Sequence, residues 1–262
     1  MNTDFKDKTA LITGSTSGIG LATAKALLRR NANVILHGRH AERLTKTQCE
    51  LRSIFPHSQI SIFQHDFAEI NNPIKLDMQD IDILINNLGV FESKEFDDIS
   101  TQDWLHFWNM NVMSGVNLCK RLIPYLTQKN WGRIIFISSQ CARTVPKDMI
   151  HYAATKASQI AVAKGIAKQF KGRSITVNSI LAGPTQTEGF RQFFESEAER
   201  SEVSVSDLIQ QYMQKKLPDS IINRLIEPEE IAELISYLCS ESASFITGAS
   251  INAEGGIIND IF

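Results

Sequence analysis

The sequence predicts an α/β protein, with a doubly wound, mostly parallel sheet of about seven strands and helices on both faces. Three observations support this fold class. Short apolar runs alternate with segments of helical periodicity along almost the whole chain. A glycine-rich segment joins the first apolar run to the first helical pattern. The chain of 262 residues, 43% of them hydrophobic, can bury a large core within one domain.

The predicted strands are the apolar runs that end at polar or glycine-containing segments. Because helices follow most of them, the strands are expected to pair in parallel. Their predicted positions are residues 9–12, 33–36, 60–63, 81–85, 134–137, 175–181 and 249–253.

The first loop, residues 13–20, is predicted to bind the pyrophosphate of a dinucleotide. Its glycines allow a tight turn and close backbone approach, and the N-terminus of the following helix presents free N–H groups. The alternative is a plain connection between a strand and a helix. The candidate binding residues are Gly14, Ser15, Thr16, Ser17, Gly18, Ile19 and Gly20.

The end of the second strand predicts the cofactor preference. NAD-specific sites place an acidic residue about 20 residues beyond the loop, but Arg39 stands in that region here. A guanidinium suits a 2′-phosphate, to which Ser15 and Ser17 can add hydrogen bonds. NADP(H) is therefore favoured, and NAD(H) remains possible. The alternative is that Arg39 stacks on adenine or begins the next helix as a solvated charge.

Between the second and fourth strands, a helix is predicted from about Ala41 to Phe55, ended by Pro56. Asp66 follows the third strand, where it meets the adenine ring or caps the next turn. Residues 67–79 leave room for only a short helix.

A longer helix is predicted to open at a capping box formed by Ser100 and Asp103, with a kink at Pro124. Asn111 lies close to its apolar face, where an unpaired amide is costly. Asn111 therefore needs a partner, and a buried asparagine with satisfied hydrogen bonds is the alternative to a functional one.

The helix predicted over residues 150–170 and ended at Gly172 carries Tyr152 and Lys156, four residues apart on one face. A phenol of pKa near ~10 is a poor base, but a neighbouring cation lowers that pKa by roughly one to three units. Such a tyrosine can give or take a proton at a substrate oxygen. A chance pairing is the alternative. Ser139, at the end of the preceding strand, lies close to this pair in the sequence.

Residues 183–226 form polar helices that bear several aromatic side chains, and Pro228 then starts a further helix. A long segment after a late strand is typical of a lid over a site, while ordinary packing is the alternative for its aromatics.

Composition excludes several function classes. The net charge of −2, without a long basic run, argues against sequence-independent nucleic-acid binding. No apolar segment is long enough to cross a bilayer, and a cytoplasmic location is expected. The four cysteines lack metal-ligand or disulfide spacing, so no metal site is predicted.

These motifs, taken in order, resemble the short-chain dehydrogenase/reductase family, of the single-domain Rossmann type with about 250 residues. The resemblance covers nearly the whole chain. It depends on the glycine loop, Asp66, Asn86-Asn87-Leu88-Gly89, Asn111, Ser139, Tyr152 with Lys156, Ile246-Thr247-Gly248 and Gly255-Gly256. Three residues depart from the usual motifs, namely Leu88, Ala182 and Glu254, and none of them is a catalytic group.

The resemblance implies hydride transfer between NADP(H) and a carbonyl or secondary alcohol substrate. Tyr152 would donate the proton, Lys156 would lower its pKa and hold the nicotinamide ribose, and Ser139 would bind the carbonyl oxygen. Asn111 would anchor a water that links Lys156 to solvent. Besides the glycine loop, Tyr152 and Lys156, the implied cofactor contacts are Arg39, Asp66, Phe67, Asn87, Gly89, Thr185 and Thr187.

The resemblance also implies one domain over residues 1–262, with a cofactor half of about 1–130, a catalytic half of about 131–262 and a lid at about 183–226. A homodimer or homotetramer is expected by the same analogy. A catalytically silent dinucleotide-binding sensor is the alternative function, since fold alone does not establish activity. A sugar-nucleotide epimerase is disfavoured because no sizeable C-terminal substrate domain follows. The substrate stays open among 3-oxoacyl thioesters, sugars, polyols and hydroxysteroid-like alcohols.

Overall fold

In the computed structural model, which describes residues 5–69, 72–201 and 203–261, seven parallel strands form one sheet in the order β3-β2-β1-β4-β5-β6-β7. The predicted fold class is confirmed. The strands are β1 (Thr9–Ile12), β2 (Asn33–Gly38), β3 (Ile60–Gln64), β4 (Ile83–Asn86), β5 (Trp131–Ser139), β6 (Ser174–Ala182) and β7 (Ser250–Ala253).

Helices cover both faces of this sheet. They are α1 (Gly18–Arg29), α2 (Ala41–Ile54), α3 (Thr101–Trp108), α4 (Ser114–Lys129), α5 (Cys141–Thr144), α6 (Ile150–Ala167), α7 (Glu188–Ser201), α8 (Val205–Lys216) and α9 (Pro228–Cys239). Short 3₁₀ turns lie at Phe96–Asp98, Lys168–Phe170 and Glu241–Ala243, and a π-helical turn at Asn109–Met113 joins α3 to α4.

The core divides into two layers because successive side chains of a strand point to opposite faces. Ile12, at the end of β1, belongs to the layer under α1, α2 and α9, while its neighbour Leu11 belongs to the layer under α4 and α6. Both faces of the central strands are buried, and all four residues of β4 are buried. This explains why these strands are continuous apolar runs rather than alternating ones.

Three local predictions need correction or refinement. The fourth strand begins at Ile83 rather than Ile81, because Ile81 closes a turn onto the Met78 carbonyl. Among the described residues of 67–79, no helix forms. The predicted long helix continues through Pro124 to Lys129, and its departure from α-helical geometry lies earlier, at the π-helical turn. The Ser100–Asp103 capping box is confirmed.

The strand order positions the site. β1 lies between β2 and β4, so the connections that leave β1 and β4 diverge to opposite faces and open a crevice at their carboxyl ends. No helix of the described residues is both long and apolar enough to span a membrane.

Candidate active site

The glycine loop occupies the crevice between β1 and β4. Gly14 and Gly18 have φ of +62° and +51°, which favour glycine. A Cβ atom on Gly20 would lie 2.4 Å from the Gly14 carbonyl oxygen, so the start of α1 can approach the loop only without a side chain there. The loop therefore leaves main-chain N–H groups at a helix N-terminus, which suits a pyrophosphate.

The turn after β4 holds this loop. Asn87 Nδ2 donates to the carbonyl oxygens of Thr13 (2.8 Å) and Gly14 (3.2 Å). Its main-chain N–H and that of Leu88 donate to Thr13 Oγ1, at 2.9 and 2.8 Å. The Asn87 side chain, a predicted cofactor contact, thus supports the loop that would bind the cofactor.

The adjacent strand β2 supports the loop through His37, a residue that the sequence analysis did not single out. Its Nδ1 accepts from the Gly14 N–H (3.1 Å), and its Nε2 lies 3.2 Å from the His65 carbonyl oxygen. Burial lowers the pKa of His37 to about 4, so the ring is neutral at neutral pH. Ser15 Oγ accepts from the His37 main-chain N–H (2.9 Å) and is fully buried. Ser15 therefore braces the loop, contrary to its expected role at a 2′-phosphate.

The residues expected near the adenosine end lie at the carboxyl ends of β2 and β3. Arg39 is exposed, and its Nε donates to His40 Nε2 (2.9 Å). Ser17 is the N-cap residue of α1 without using its hydroxyl as a cap. Asp66 accepts from the Ala68 N–H (3.0 Å), as the turn-capping alternative predicted. Phe67 is buried, with its ring 4.6 Å from that of His65.

The carboxyl end of β5 and helix α6 bring together Ser139, Tyr152 and Lys156. Lys156 is buried, its Nζ donates to the Ile137 carbonyl oxygen (2.8 Å), and it lies 5.6 Å from the centre of the Tyr152 ring. Ser139 Oγ donates to Gln140 Oε1 (2.9 Å) and accepts from the Cys141 N–H. A Cβ atom on Gly89 would lie 3.3 Å from Lys156 Nζ, so the lack of a side chain at this position leaves room for the ammonium.

Burial governs the protonation of this pair. Desolvation, with a smaller contribution from Cys141, raises the pKa of Tyr152, and hydrogen bonding with Ser139 opposes the rise. Desolvation also lowers the pKa of Lys156 to about 8. The pKa of Tyr152 is therefore shifted upwards, opposite to the direction expected from the sequence, because burial disfavours the charged phenolate.

Asn111 lies in the π-helical turn and is buried. Its Oδ1 accepts from the Val90 N–H (2.8 Å), and its Nδ2 donates to the Val90 carbonyl oxygen (3.0 Å) and to Thr155 Oγ1 (2.9 Å). The side chain is thus fully paired, as the alternative reading of a satisfied core asparagine predicted. Its place between the end of β4 and α6 keeps it beside Lys156, since both side chains flank Gly89.

The segment after β6 returns across the glycine loop. Thr185 is buried, bridges to Ile226 as a short parallel pair, and donates through Oγ1 to the Gly183 carbonyl oxygen (2.9 Å). A Cβ atom on Gly18 would lie 3.0 Å from Thr187 Cγ2. Thr187, a predicted cofactor contact, therefore lies directly against the glycine loop.

Aromatic rings extend from the tyrosine into the segment 183–226. The Phe91 ring lies 6.5 Å from that of Tyr152 and 6.4 Å from that of Phe190, which lies 5.6 Å from that of Tyr212. Phe194 is buried with Met213, Leu217, Leu225 and Ile257, and Phe190 and Tyr212 pack against this same cluster. Phe190 and Tyr212 therefore belong to the packing of the segment and, with Phe91, also form a wall beside Tyr152.

The glycines of this crevice agree with the close backbone approach that a dinucleotide needs. A Cβ atom at position 14 would crowd Asn87, one at 18 would crowd Thr187, one at 20 the Gly14 carbonyl oxygen and one at 89 Lys156. Separately, no group of three or more potential metal ligands occurs in the described part of the chain. The fold, the glycine loop and the Ser139–Tyr152–Lys156 group together define an NAD(P)-dependent dehydrogenase or reductase.

Comparison with known proteins identifies the family. The family model described as short chain dehydrogenase matches residues 8–198, and the chain belongs to this family. It is 38% identical to the uncharacterized oxidoreductase YvaG of Bacillus subtilis, with both chains fully covered. It is 30% identical to the 3-oxoacyl-[acyl-carrier-protein] reductase FabG of Aquifex aeolicus, over 98% of this chain and 100% of that one.

Among solved structures, L-sorbose reductase from Gluconobacter frateurii, complexed with NADPH and L-sorbose, superposes with a TM-score of 0.90. The two are 25% identical, and the match covers 100% of each chain. The chain is accordingly an NAD(P)-dependent oxidoreductase of the short-chain family.

Proposed function

We propose that this protein transfers a hydride between NADP(H) and a carbonyl or secondary alcohol substrate, with Tyr152 as the acid/base. The observation that carries the proposal is the convergence of Ser139, Tyr152 and Lys156 at the carboxyl end of β5, beside the glycine loop. NADP(H) would supply the hydride.

The roles follow from the chemistry of each side chain. Tyr152 keeps its proton at neutral pH, because its pKa is raised, and is therefore ready to donate to a carbonyl oxygen. Ser139 would donate a second hydrogen bond to that oxygen after its hydroxyl turns away from Gln140 Oε1. The Lys156 ammonium donates one hydrogen bond to the Ile137 carbonyl oxygen. Its other N–H groups can therefore donate to the ribose hydroxyls.

The preference for NADP(H) is supported by the charge at the end of β2. Arg39 is exposed there, and no carboxylate of the described residues forms an ion pair with it. A carboxylate at this place would repel a 2′-phosphate, whereas a guanidinium attracts it. The NADPH in the L-sorbose reductase structure is in keeping with this preference.

The substrate would lie between Ser139 and the wall of Phe91, Phe190 and Tyr212, under the segment 183–226 as a lid. L-Sorbose in the structural relative and the acyl-carrier reductase among the sequence relatives make ketoses and 3-oxoacyl thioesters the first compounds to assay.

We further infer one catalytic domain over residues 1–262, located in the cytoplasm. A homodimer or homotetramer is supported by Leu105 and Trp108, which expose 57% and 43% of their surface on α3. The small residues Ala154, Ala157 and Ala161 would allow close helix packing on α6.

The experiment is a carbonyl panel with NADPH and, in parallel, NADH, followed by the absorbance of the reduced nicotinamide. The panel contains ketoses, 3-oxoacyl thioesters and hydroxysteroid-like ketones, and the corresponding alcohols are run with the oxidised cofactors. We expect turnover with at least one carbonyl and faster turnover with NADPH. Tight cofactor binding without turnover of any panel member would favour the silent sensor instead.

A further inference from the structure

Two side chains of helix α6 form hydrogen bonds with Asn111, which lies in the π-helical turn. Asn111 Nδ2 donates to Thr155 Oγ1 (2.9 Å), and Thr155 Oγ1 in turn donates to the Tyr152 carbonyl oxygen (2.7 Å). One helical turn further on, Gln159 Nε2 donates to the Asn111 carbonyl oxygen (2.5 Å). Thr155 and Gln159 are four residues apart and therefore share the face of α6 that meets this turn.

The hydrogen bond from Gln159 is made to a residue of the π-helical turn. Asn109–Met113 is a π-helical turn, in which the Ser114 N–H reaches back to the Asn109 carbonyl oxygen. π-Turns alter the regular backbone ladder and occur frequently at functional sites. Here a side chain from another helix bonds the Asn111 carbonyl oxygen within that altered ladder.

Packing alone does not account for an amide at position 159. Gln159 is 1% exposed, and its Oε1 has no hydrogen-bond partner among the described residues. A leucine would fill similar space without a buried, unpaired acceptor. The bond from Nε2 to Asn111 fixes the orientation of the amide, so Oε1 is the atom left to accept from a water.

We propose that Gln159 is a positioning residue for proton transfer, which sets the Asn111 turn beside Lys156. The proposal rests on the proposed function, in which Tyr152 gives its proton to the substrate oxygen and must regain one proton from solvent in each reductive turnover. Lys156 and the Asn111 amide both flank Gly89, at 3.3 Å from the Cβ position of that glycine. By holding the π-helical turn in a fixed position, Gln159 keeps the polar groups around the Lys156 ammonium oriented for the transfer of that proton.

The first test uses the cofactor-free chain and needs no substrate. Hydrogen exchange of residues 109–114 is compared between the parent, Gln159→Leu and the control Ser158→Ala. Ser158 lies next to Gln159, but its hydroxyl donates to the Ala154 carbonyl within α6. We expect exchange of this turn to accelerate roughly ten-fold in Gln159→Leu and to stay unchanged in the control. Equal exchange rates in all three proteins would overturn the proposal.

The second test separates positioning from folding. With a substrate that the parent turns over, Gln159→Leu should lower kcat roughly three- to ten-fold and enlarge the solvent isotope effect, while KM and the Kd for NADPH change by less than about two-fold. A kcat loss with an equal loss of NADPH affinity and an unchanged isotope effect would mean a merely structural role.

Gln159→Glu provides the rescue and also covers a leucine variant that does not fold. A protonated carboxyl can donate to the Asn111 carbonyl oxygen, but a carboxylate cannot. We expect kcat relative to the parent to be highest at acidic pH and to fall as pH rises. A ratio independent of pH would refute the proposal. A parent without any carbonyl turnover would instead count against the proposed function, while the exchange test would still decide on the turn.

Discussion

Replacing Arg39 with alanine should weaken NADPH binding selectively. Arg39 is exposed at the end of β2, and its Nε donates to His40 Nε2 (2.9 Å). Its terminal Nη groups have no hydrogen-bond partner among the described residues, so a guanidinium edge remains for phosphate oxygens. NADH lacks the 2′-phosphate and gains nothing from that edge.

The magnitude follows from the environment of the guanidinium. A hydrogen bond to a charged group typically contributes about 1.5 to 3 kcal/mol, or roughly ten- to a hundred-fold in affinity. Because Arg39 is exposed, water and salt screen the interaction, and the lower end of this range applies. We therefore expect the Kd for NADPH to rise about ten-fold at low salt, and the Kd for NADH to change by less than about two-fold.

Isothermal titration of both cofactors into parent and variant measures this difference. Arg29→Ala is a matched control, because it removes one exposed positive charge at the opposite end of α1 from the phosphate loop. Equal weakening of NADPH and NADH, or a parent that prefers NADH, would refute the reasoning about the 2′-phosphate.

Three further predictions concern Lys156 beside Tyr152, His37 beneath the glycine loop, and the proposed lid at residues 183–226. Lys156→Met should lower both turnover and cofactor affinity, measured by kcat and Kd, since Lys156 would serve proton transfer and ribose binding; intact affinity would exclude the ribose contact. Burial lowers the pKa of His37 to about 4 in the folded chain. Between about pH 4 and 6.5 the unfolded chain therefore binds more protons than the folded chain, and the free energy of unfolding decreases as the pH falls through that window. His37→Asn keeps an acceptor for the Gly14 N–H but does not titrate. Between about pH 7 and 4.5, its free energy of urea unfolding should therefore fall by on the order of 2 kcal/mol less than that of the parent; equal losses would contradict the buried neutral ring. Hydrogen exchange of residues 183–226 should slow when NADPH and substrate bind, and equal protection with and without them would favour permanent packing.

The fold was largely predictable because its signals are local in sequence. β1 has the predicted bounds, and the capping box and the start of α9 at Pro228 also match. Each depends on residues that are neighbours along the chain, such as a proline in the first turn of a helix. The strand β2 runs longer than predicted because His37 and Gly38 at its carboxyl end still pair with β3, and β5 begins earlier, at Trp131, because its first residues pair with β6.

The features that sequence reasoning missed depend on partners far apart in the chain. His37 bonds the Gly14 N–H, and Gln159 bonds Asn111 across 48 residues. A single polar residue inside an apolar strand or helix face was the available signal, but it does not reveal the partner. The direction of the Tyr152 pKa was missed for a related reason, because desolvation depends on everything packed around the ring.

The proposed role of Tyr152 is tested most directly by Tyr152→Phe, assayed for turnover and NADPH affinity on the same preparation. Phenylalanine keeps the ring beside Phe91 and removes only the hydroxyl. Because general acid catalysis typically contributes about 10²- to 10⁴-fold, turnover should fall to the background of the assay. The Kd for NADPH should change by less than about two-fold, since the phosphate loop is untouched. Substantial residual turnover in a folded variant would contradict the assignment of Tyr152 as the acid/base.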